Sequence, residues 1–299
     1  RRWFVSDGGR VGRTALRWLL ALGLLGSLNV YAASPVWAVR GAHNTVYLAG
    51  SMHLLPANDA ALPAALDHAY ADSAKLVMEL DLAKFDPLEA TVWMMDHGAL
   101  PKGTKLRTVL GEARYARVSA AAGNLGLAMG GLDEQAPWVV GMELTDFAYA
   151  HEGFDSDQGV EEQLLRRAQA DGKPTAGLET LPEELGSLVA LSQEDQIHML
   201  DETLDELKDI KNEMRDVLSA WRQGDAPRMA ALLASEYHAF PSLYRPLVSD
   251  RNQHWLPQVE ELLNGPGNAL VVVGALHLVG EGGLLELLRK KGYKVTQLP

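Results

Sequence analysis

Short apolar runs halted by glycine occur near both ends of the chain. Val46-Tyr47-Leu48-Ala49 stops at Gly50, and Leu270-Val271-Val272-Val273 stops at Gly274. Runs of Val, Leu and Tyr this short, closed by Gly, predict buried strands rather than helices. Three residues after each glycine stands a histidine: Gly50-Ser51-Met52-His53 and Gly274-Ala275-Leu276-His277. A helical segment is expected after both. Ligands of α/β sheets sit where the chain leaves the carboxyl ends of strands. Two exits that each carry an imidazole would then face one shared site.

The rest of the pattern fills in the elements between them. Residues 37–40 and 45–48 flank Gly41-Ala42-His43-Asn44, a good hairpin turn. A helix is expected over 62–73, opened near Pro63, and a buried strand over 75–81 with acidic residues at its exit. Residues 86–97 and 111–122 look helical, 98–103 a loop, and the small residues of 123–131 a loop or loose turn. A helix is predicted over 138–150. Val160, Leu164, Leu165 and Ala168 share one helical face, with Ser156 or Asp157 as its cap. Residues 173–178 read as a strand closed by Glu179-Thr180. The middle third is helical, since Leu204, Leu207, Ile210, Met214, Val217, Leu218 and Trp221 recur at helical spacing. Arg228 to Ala234 continues in that way. Asp250 is a plausible cap for a helix striped by Trp255, Leu256, Val259, Leu262 and Leu263, which Pro257 must start or kink. A strand over 269–273, a helix ending in Arg289-Lys290-Lys291-Gly292 and a strand over 293–297 close the chain. The two Gly-x-x-His units suggest two related α/β halves with a helical insertion between them, in one domain spanning 34–299.

Composition narrows the chemistry. A net charge of −12 argues against nucleic acid as a partner. The chain has no cysteine, which excludes disulfides, thiolate catalysis and Cys-type zinc sites, so any metal must rest on His and carboxylate ligands. Arg10, Arg13 and Arg17 precede the apolar stretch 18–26 and then small residues around Tyr31-Ala32-Ala33. That order predicts a secretory signal peptide over 1–33 and, after cleavage, a periplasmic or secreted protein of charge −16. The stretch is short for a membrane span, so contact with a membrane is expected only if the segment stays uncleaved.

Candidate site residues follow from the strand exits. A lone histidine after a strand is usually structural; the repeated context brings a functional role for His53 and His277 level with that alternative. Glu79 leaves a strand as apolar as Leu76-Val77-Met78, where a buried carboxylate needs a cation, hydrogen bonds or a metal; a solvated loop mouth is the alternative. Two imidazoles and a carboxylate form the three-ligand set of many catalytic metal sites, and suit manganese, cobalt or zinc alike. Arg251 and Glu179 are further candidates, as an oxyanion clamp and as a ligand-positioning group or base. Other patterns fall away. Asp155-Ser156-Asp157-Gln158-Gly159 lacks the spacing and terminal Glu of a calcium loop. Gly280-Glu281-Gly282-Gly283 has only 16 residues after it, too few for a dinucleotide unit. His151-Glu152 lacks the second histidine of a zincin helix, and no Gly-x-Ser-x-Gly elbow is present.

Five stretches carry a family likeness. They are residues 48–56, 76–81, 177–180 (Gly-Leu-Glu-Thr), 250–252 (Asp-Arg-Asn) and 273–280 (Val-Gly-Ala-Leu-His-Leu-Val-Gly). In this order and spacing they resemble the TraB/GumN (TraB/PrgY/GumN, Tiki-related) family, and the GumN-like bacterial branch in particular. The resemblance implies an α/β fold like that of erythromycin-esterase-like proteins: a central mixed sheet with flanking helices, two related halves and a helical insertion. It implies His53, Glu79 and His277 as ligands of a divalent ion, Arg251 as a catalytic partner, and a peptide or polypeptide substrate. The expected function is therefore an exported metal-dependent hydrolase, most simply a peptidase. A non-catalytic envelope protein that binds a peptide or glycan in the same cleft is the competing expectation.

Overall fold

The computed structural model describes residues 33–237 and 241–299. The expected signal segment, apart from Ala33, lies outside the described residues. The opening hairpin forms as expected from β1 (Val36–Arg40) and β2 (Thr45–Ser51), with Val36 opposite Ala49 and Arg40 opposite Thr45. Its turn is pinned by Asn44, whose Nδ2 donates to the Leu262 and Gly267 carbonyls at 2.8 and 2.9 Å. After His53 the chain first makes a short strand, β3 (Leu55–Pro56), before helix α1 (Ala64–Asp72). β4 (Lys75–Met78) ends three residues earlier than expected, which places Glu79 just beyond the sheet.

A helical layer follows: α2 (Pro87–His97), α3 (Leu106–Asn124), α4 (Met129–Leu132) and α5 (Pro137–His151). α3 is two helical pieces broken at Gly111, whose φ of 74° and ψ of 166° are not helical; the expected helix over 111–122 is the second piece, and a short helical segment from Leu106 precedes it. β5 (Phe154–Asp155), which no sequence signal marked, pairs antiparallel with β3. Asp155 caps a 3₁₀ turn at Ser156–Gln158. The N-cap of α6 (Val160–Asp171) is therefore Gly159, not Ser156 or Asp157. After β6 (Thr175–Gly177) come α7 (Leu181–Val189), α8 (Gln193–Glu206), α9 (Ile210–Arg222), α10 (Ala226–Glu236) and α11 (Pro241–Tyr244). The stripe from Leu204 to Trp221 is thus two helices, broken at 207–209. A π turn at Arg245–Ser249 runs straight into α12 (Asp250–Leu263). Asp250 has helical φ and ψ (−68°, −38°), so it continues a helix rather than capping one, and Pro257 lies inside α12. β7 (Ala269–Gly274), α13 (Ala275–Leu278), α14 (Leu284–Lys290) and β8 (Val295–Gln297) complete the chain.

The sheet has six strands in the order β6-β4-β7-β2-β1-β8. β1 is antiparallel to both of its neighbours, whereas β2, β7, β4 and β6 run parallel to one another. The fold is therefore α/β with a central mixed sheet flanked by helices. β2 is buried along its whole length and β7 along all but its last residue, as interior parallel strands covered on both faces must be. Their apolar runs leave no alternation for this reason. α1, α6, α9, α10, α12, α13 and α14 add side chains to the sheet's core, while α3, α4, α5 and α8 enclose a second apolar core of their own. Because four neighbouring strands point the same way, residues just past Ser51, Gly274, Met78 and Gly177 emerge along one edge. That edge carries His53, His277, Glu79 and Glu179.

Candidate functional site

Gly274 lies at the centre of the site. A Cβ built on it would stand 3.4 Å from Glu79 Oε1, 3.6 Å from His277 Cδ2 and 3.8 Å from His53 Nε2. The glycine keeps open a small space ringed by the two imidazoles and the carboxylate. The strand exits that predicted a shared site do converge.

Each ring member is held from behind. The Gly274 N–H donates to Glu79 Oε1 at 2.6 Å, and Arg251 Nη2 donates to Glu79 Oε2 at 2.7 Å. Burial alone would raise the Glu79 carboxyl, but His277, His53, Arg251 and the Gly274 amide hold it below its ordinary value. Asn252, fully buried, donates from Nδ2 to the Gly282 carbonyl at 3.0 Å and so turns Oδ1 toward His277 Nδ1, 2.9 Å away. That fixes the tautomer: Nδ1 donates, and Nε2 keeps its lone pair, which meets Arg251 Nη1 at 3.2 Å. Burial, with Arg251 and His53 nearby, pushes His277 down to about 4, so it is neutral at physiological pH.

His53 is held by Glu161. The Val160 N–H donates to the Met52 carbonyl at 3.1 Å, and a Cβ on Gly159 would fall 2.1 Å from the His53 carbonyl oxygen. Glycine is therefore required where α6 docks on the His53 backbone. The docking brings Glu161 Oε1 to 2.8 Å from His53 Nδ1, and Ser51 Oγ donates to the same oxygen at 2.5 Å. The Glu161 charge raises His53 to about 10 against the effect of desolvation. Yet 62% of its side chain is open to solvent, where water screens the pair. Burial raises the Glu161 carboxyl, but His53 and Ser51 outweigh it and bring it below its ordinary value. Glu161 Oε2 is buried without a hydrogen-bond partner.

Arg251 organises the other side. Its Nε donates to Glu179 Oε1 at 3.1 Å, its Nη2 also reaches that oxygen, and Glu184 Oε1 lies 3.6 Å from Nη2. Trp255, one helical turn on, stacks under the guanidinium at 4.9 Å and donates from Nε1 to Glu179 Oε2 at 3.0 Å. Burial raises the Glu179 carboxyl even against these donors. Glu184 is pushed up to about 7 by burial and by the Glu79 charge. α7 delivers it because Glu183 accepts from the Thr180 N–H at 2.7 Å, which fixes the first turn.

All five sequence candidates thus meet: His53, Glu79, His277, Arg251 and Glu179. Sequence reasoning missed Asn252, Trp255, Glu161 and Glu184. Asn252 directly follows Arg251, and Glu161 and Glu184 are first-turn acids of their helices, which reads as ordinary dipole compensation.

The donor set fits a divalent cation. Among the described residues, Glu79, Glu179 and Glu184 offer carboxylate oxygens within 4.8 Å of one another. The histidines are not in that set; they ring Gly274, on the Oε1 side of Glu79. Three carboxylates against one guanidinium leave excess negative charge, and each imidazole carries an acceptor on Nδ1, the arrangement that orients metal-binding histidines.

The model of the TraB/PrgY/gumN family matches residues 35–297. The chain is 26% identical over 274 residues to YbaP, an uncharacterized protein of Escherichia coli (strain K12), covering 87% of this chain and 99% of that protein. YbaP of Shigella flexneri matches to the same extent. An uncharacterized protein of Treponema pallidum (strain Nichols) is 24% identical over 292 residues, covering 91% of this chain and 85% of its own length. No solved structure matches the chain.

Proposed function

Because the chain belongs to the TraB/PrgY/gumN family, we propose that it is an exported, divalent-metal-dependent hydrolase acting on peptides. The observation that carries this reading is the ring of Glu79 Oε1, His277 and His53 Nε2 around the open face of Gly274. These three residues would hold the ion. When bound, a divalent ion polarises a scissile carbonyl and lowers the pKa of water. His277 is already neutral, and its Nε2 would exchange the Arg251 contact for the ion. His53 must shed its Nε2 proton to become a ligand, so its affinity for metal rises with pH. Arg251, which contacts both Glu79 and His277, would stabilise negative charge developing on the substrate. Glu184, raised to about 7 and held only loosely by Arg251, is better suited to moving a proton than Glu179, which Arg251 and Trp255 hold fast. Export rests on the signal-like order of residues 10–33.

The test is elemental analysis of the purified protein beside its His53→Ala/His277→Ala variant, with peptide cleavage assayed on both. The expected result is bound metal and cleavage in the parent alone. Equal metal content in the two would remove the proposed coordination. A second reading, a non-catalytic peptide-binding protein, is favoured by one feature: Arg251 already supplies a cation to the carboxylates. Glu79→Gln separates the two. It abolishes turnover in a hydrolase and only weakens binding in a binder.

A further inference from the structure

We propose that a cleft beside the carboxylates is a subsite for a large apolar side chain of a polypeptide substrate; this rests on the peptide-hydrolase reading above. The cleft encloses about 360 Å³ and opens where β4 and β6 leave the sheet. Its walls are the continuations of the two exits that carry the site's glutamates. Leu80 directly follows Glu79, and Leu181 and Pro182 follow Glu179-Thr180, while Phe85, Ala90 and Trp93 close the far side. Glu179 itself lines the cleft, so the cleft adjoins the carboxylate side of the site.

Part of its polar lining is already engaged, although Glu89 and the exposed Lys84 also line it. Asp81 accepts from Lys84 Nζ and from Thr175 Oγ1, both at 2.7 Å. Asp86 caps α2, accepting from the Leu88 N–H at 2.8 Å. Beside Glu89 and Lys84, the rest of the lining is largely aromatic and aliphatic. Phe85 is 40% exposed, and Trp93 is half-buried at the rim, stacked on His97 at 4.3 Å. The walls of Leu80, Phe85, Ala90, Trp93, Leu181 and Pro182 favour a Phe- or Leu-sized group.

The experiment measures binding without turnover. Fluorescein-labelled heptapeptides of Ala and Ser, differing only in a central Phe, Gly or Glu, are titrated by fluorescence anisotropy in EDTA. The Phe peptide should bind at least fivefold more tightly than the Gly and Glu peptides. Phe85→Glu should erase that preference, whereas Leu88→Glu, on the outer face of α2 and 71% exposed, should leave it within twofold. Equal binding of the three peptides, or a preference untouched by Phe85→Glu, overturns the subsite. A second arm digests a mixed peptide pool with metal-loaded protein. Selective binding with no cleavage leaves the subsite and removes the hydrolase. Cleavage with no enrichment of large apolar residues near the cut removes the subsite and leaves the hydrolase.

Discussion

Ser51 and Gly274 stand opposite each other on the parallel ladder between β2 and β7. That one pairing, across 223 residues of sequence, brings the two Gly-x-x-His segments together. The register is not symmetrical, because Gly50 lies opposite Val273. The two glycines therefore do different jobs. Gly50 packs against α13, and Gly274 opens the site.

Substituting the two glycines should separate these jobs. A Cβ on Gly50 would lie 3.0 Å from both Cα and Cβ of Ala275, so Gly50→Ala should cost about 1–3 kcal/mol through overpacking. At Gly274 the neighbours are at ordinary contact distance, and its φ of −47° and ψ of 132° suit alanine. Gly274→Ala should leave stability unchanged or raise it by up to about 1 kcal/mol. The new methyl fills the space between the imidazoles, so metal affinity should fall on the order of tenfold or more. Urea melts and metal titrations measure the two effects. Unaltered metal affinity in a folded Gly274→Ala protein would contradict the assigned site.

Asn252 should matter without touching a ligand. Asn252→Leu removes the acceptor that holds His277 Nδ1–H and leaves a buried donor unpaired, which costs about 1–3 kcal/mol. The ring then loses its fixed tautomer, and metal affinity should drop by roughly 10–100-fold. Calorimetric metal titration reads this; a variant that binds metal as tightly as the parent would show that the Asn252 contact is only structural.

How much of this was legible depends on whether a signal was local. The strands around Gly50 and Gly274 were legible because interior parallel strands need unbroken apolar runs. Their partnership was inferred from the repeated exit, and β2–β7 pairing realises it. Glu79 was legible because a carboxylate after Leu76-Val77-Met78 has few tolerable environments. Glu161 and Glu184 were not. Each sits in a first helical turn, where an acid is expected whatever lies beyond it, and only the docking of α6 on Met52 and of α7 beside Arg251 gives them a role. Helix boundaries failed where tertiary contacts decided them. Gly159 is the N-cap of α6 because the His53 carbonyl needs the space, and Asp250 continues a π turn that no pattern announced.

Glu161→Gln should reset the charge of His53. In the parent the imidazole, raised to about 10, stays protonated well above its ordinary 6.5. The folded state therefore holds a proton that the unfolded chain releases. The resulting stability is complete below about pH 6.5 and is lost as pH rises through about 10. Because His53 is largely exposed, the contribution is ~1 kcal/mol at most. In Glu161→Gln, the ring-proton NMR titration, assigned by difference from His53→Gln, should move down toward the ordinary histidine value. An unmoved titration would mean that Glu161 does not hold the charge.

Arg251→Met should produce a deficit that depends on pH in the opposite sense to an ordinary salt-bridge loss. The guanidinium is buried among Glu79, Glu179 and Glu184, and its removal leaves all three without their shared cation, with only His53 still acting as a cation on Glu79. Breaking a buried pair from one side costs about 3–5 kcal/mol. In the variant these carboxyls take up protons more readily when folded than when unfolded, so stability rises as pH falls. The loss should therefore be largest near pH 8 and shrink by pH 5, whereas an intact carboxylate–arginine pair weakens on acidification. Arg251→Met/Glu79→Gln should recover part of the deficit at pH 8, because one of the stranded charges is gone. Urea melts across pH 5–8 on the three proteins give the answer. A deficit of constant size at every pH, with no recovery in the double variant, would mean that Arg251 supports the fold through packing on Trp255 rather than by neutralising the glutamates.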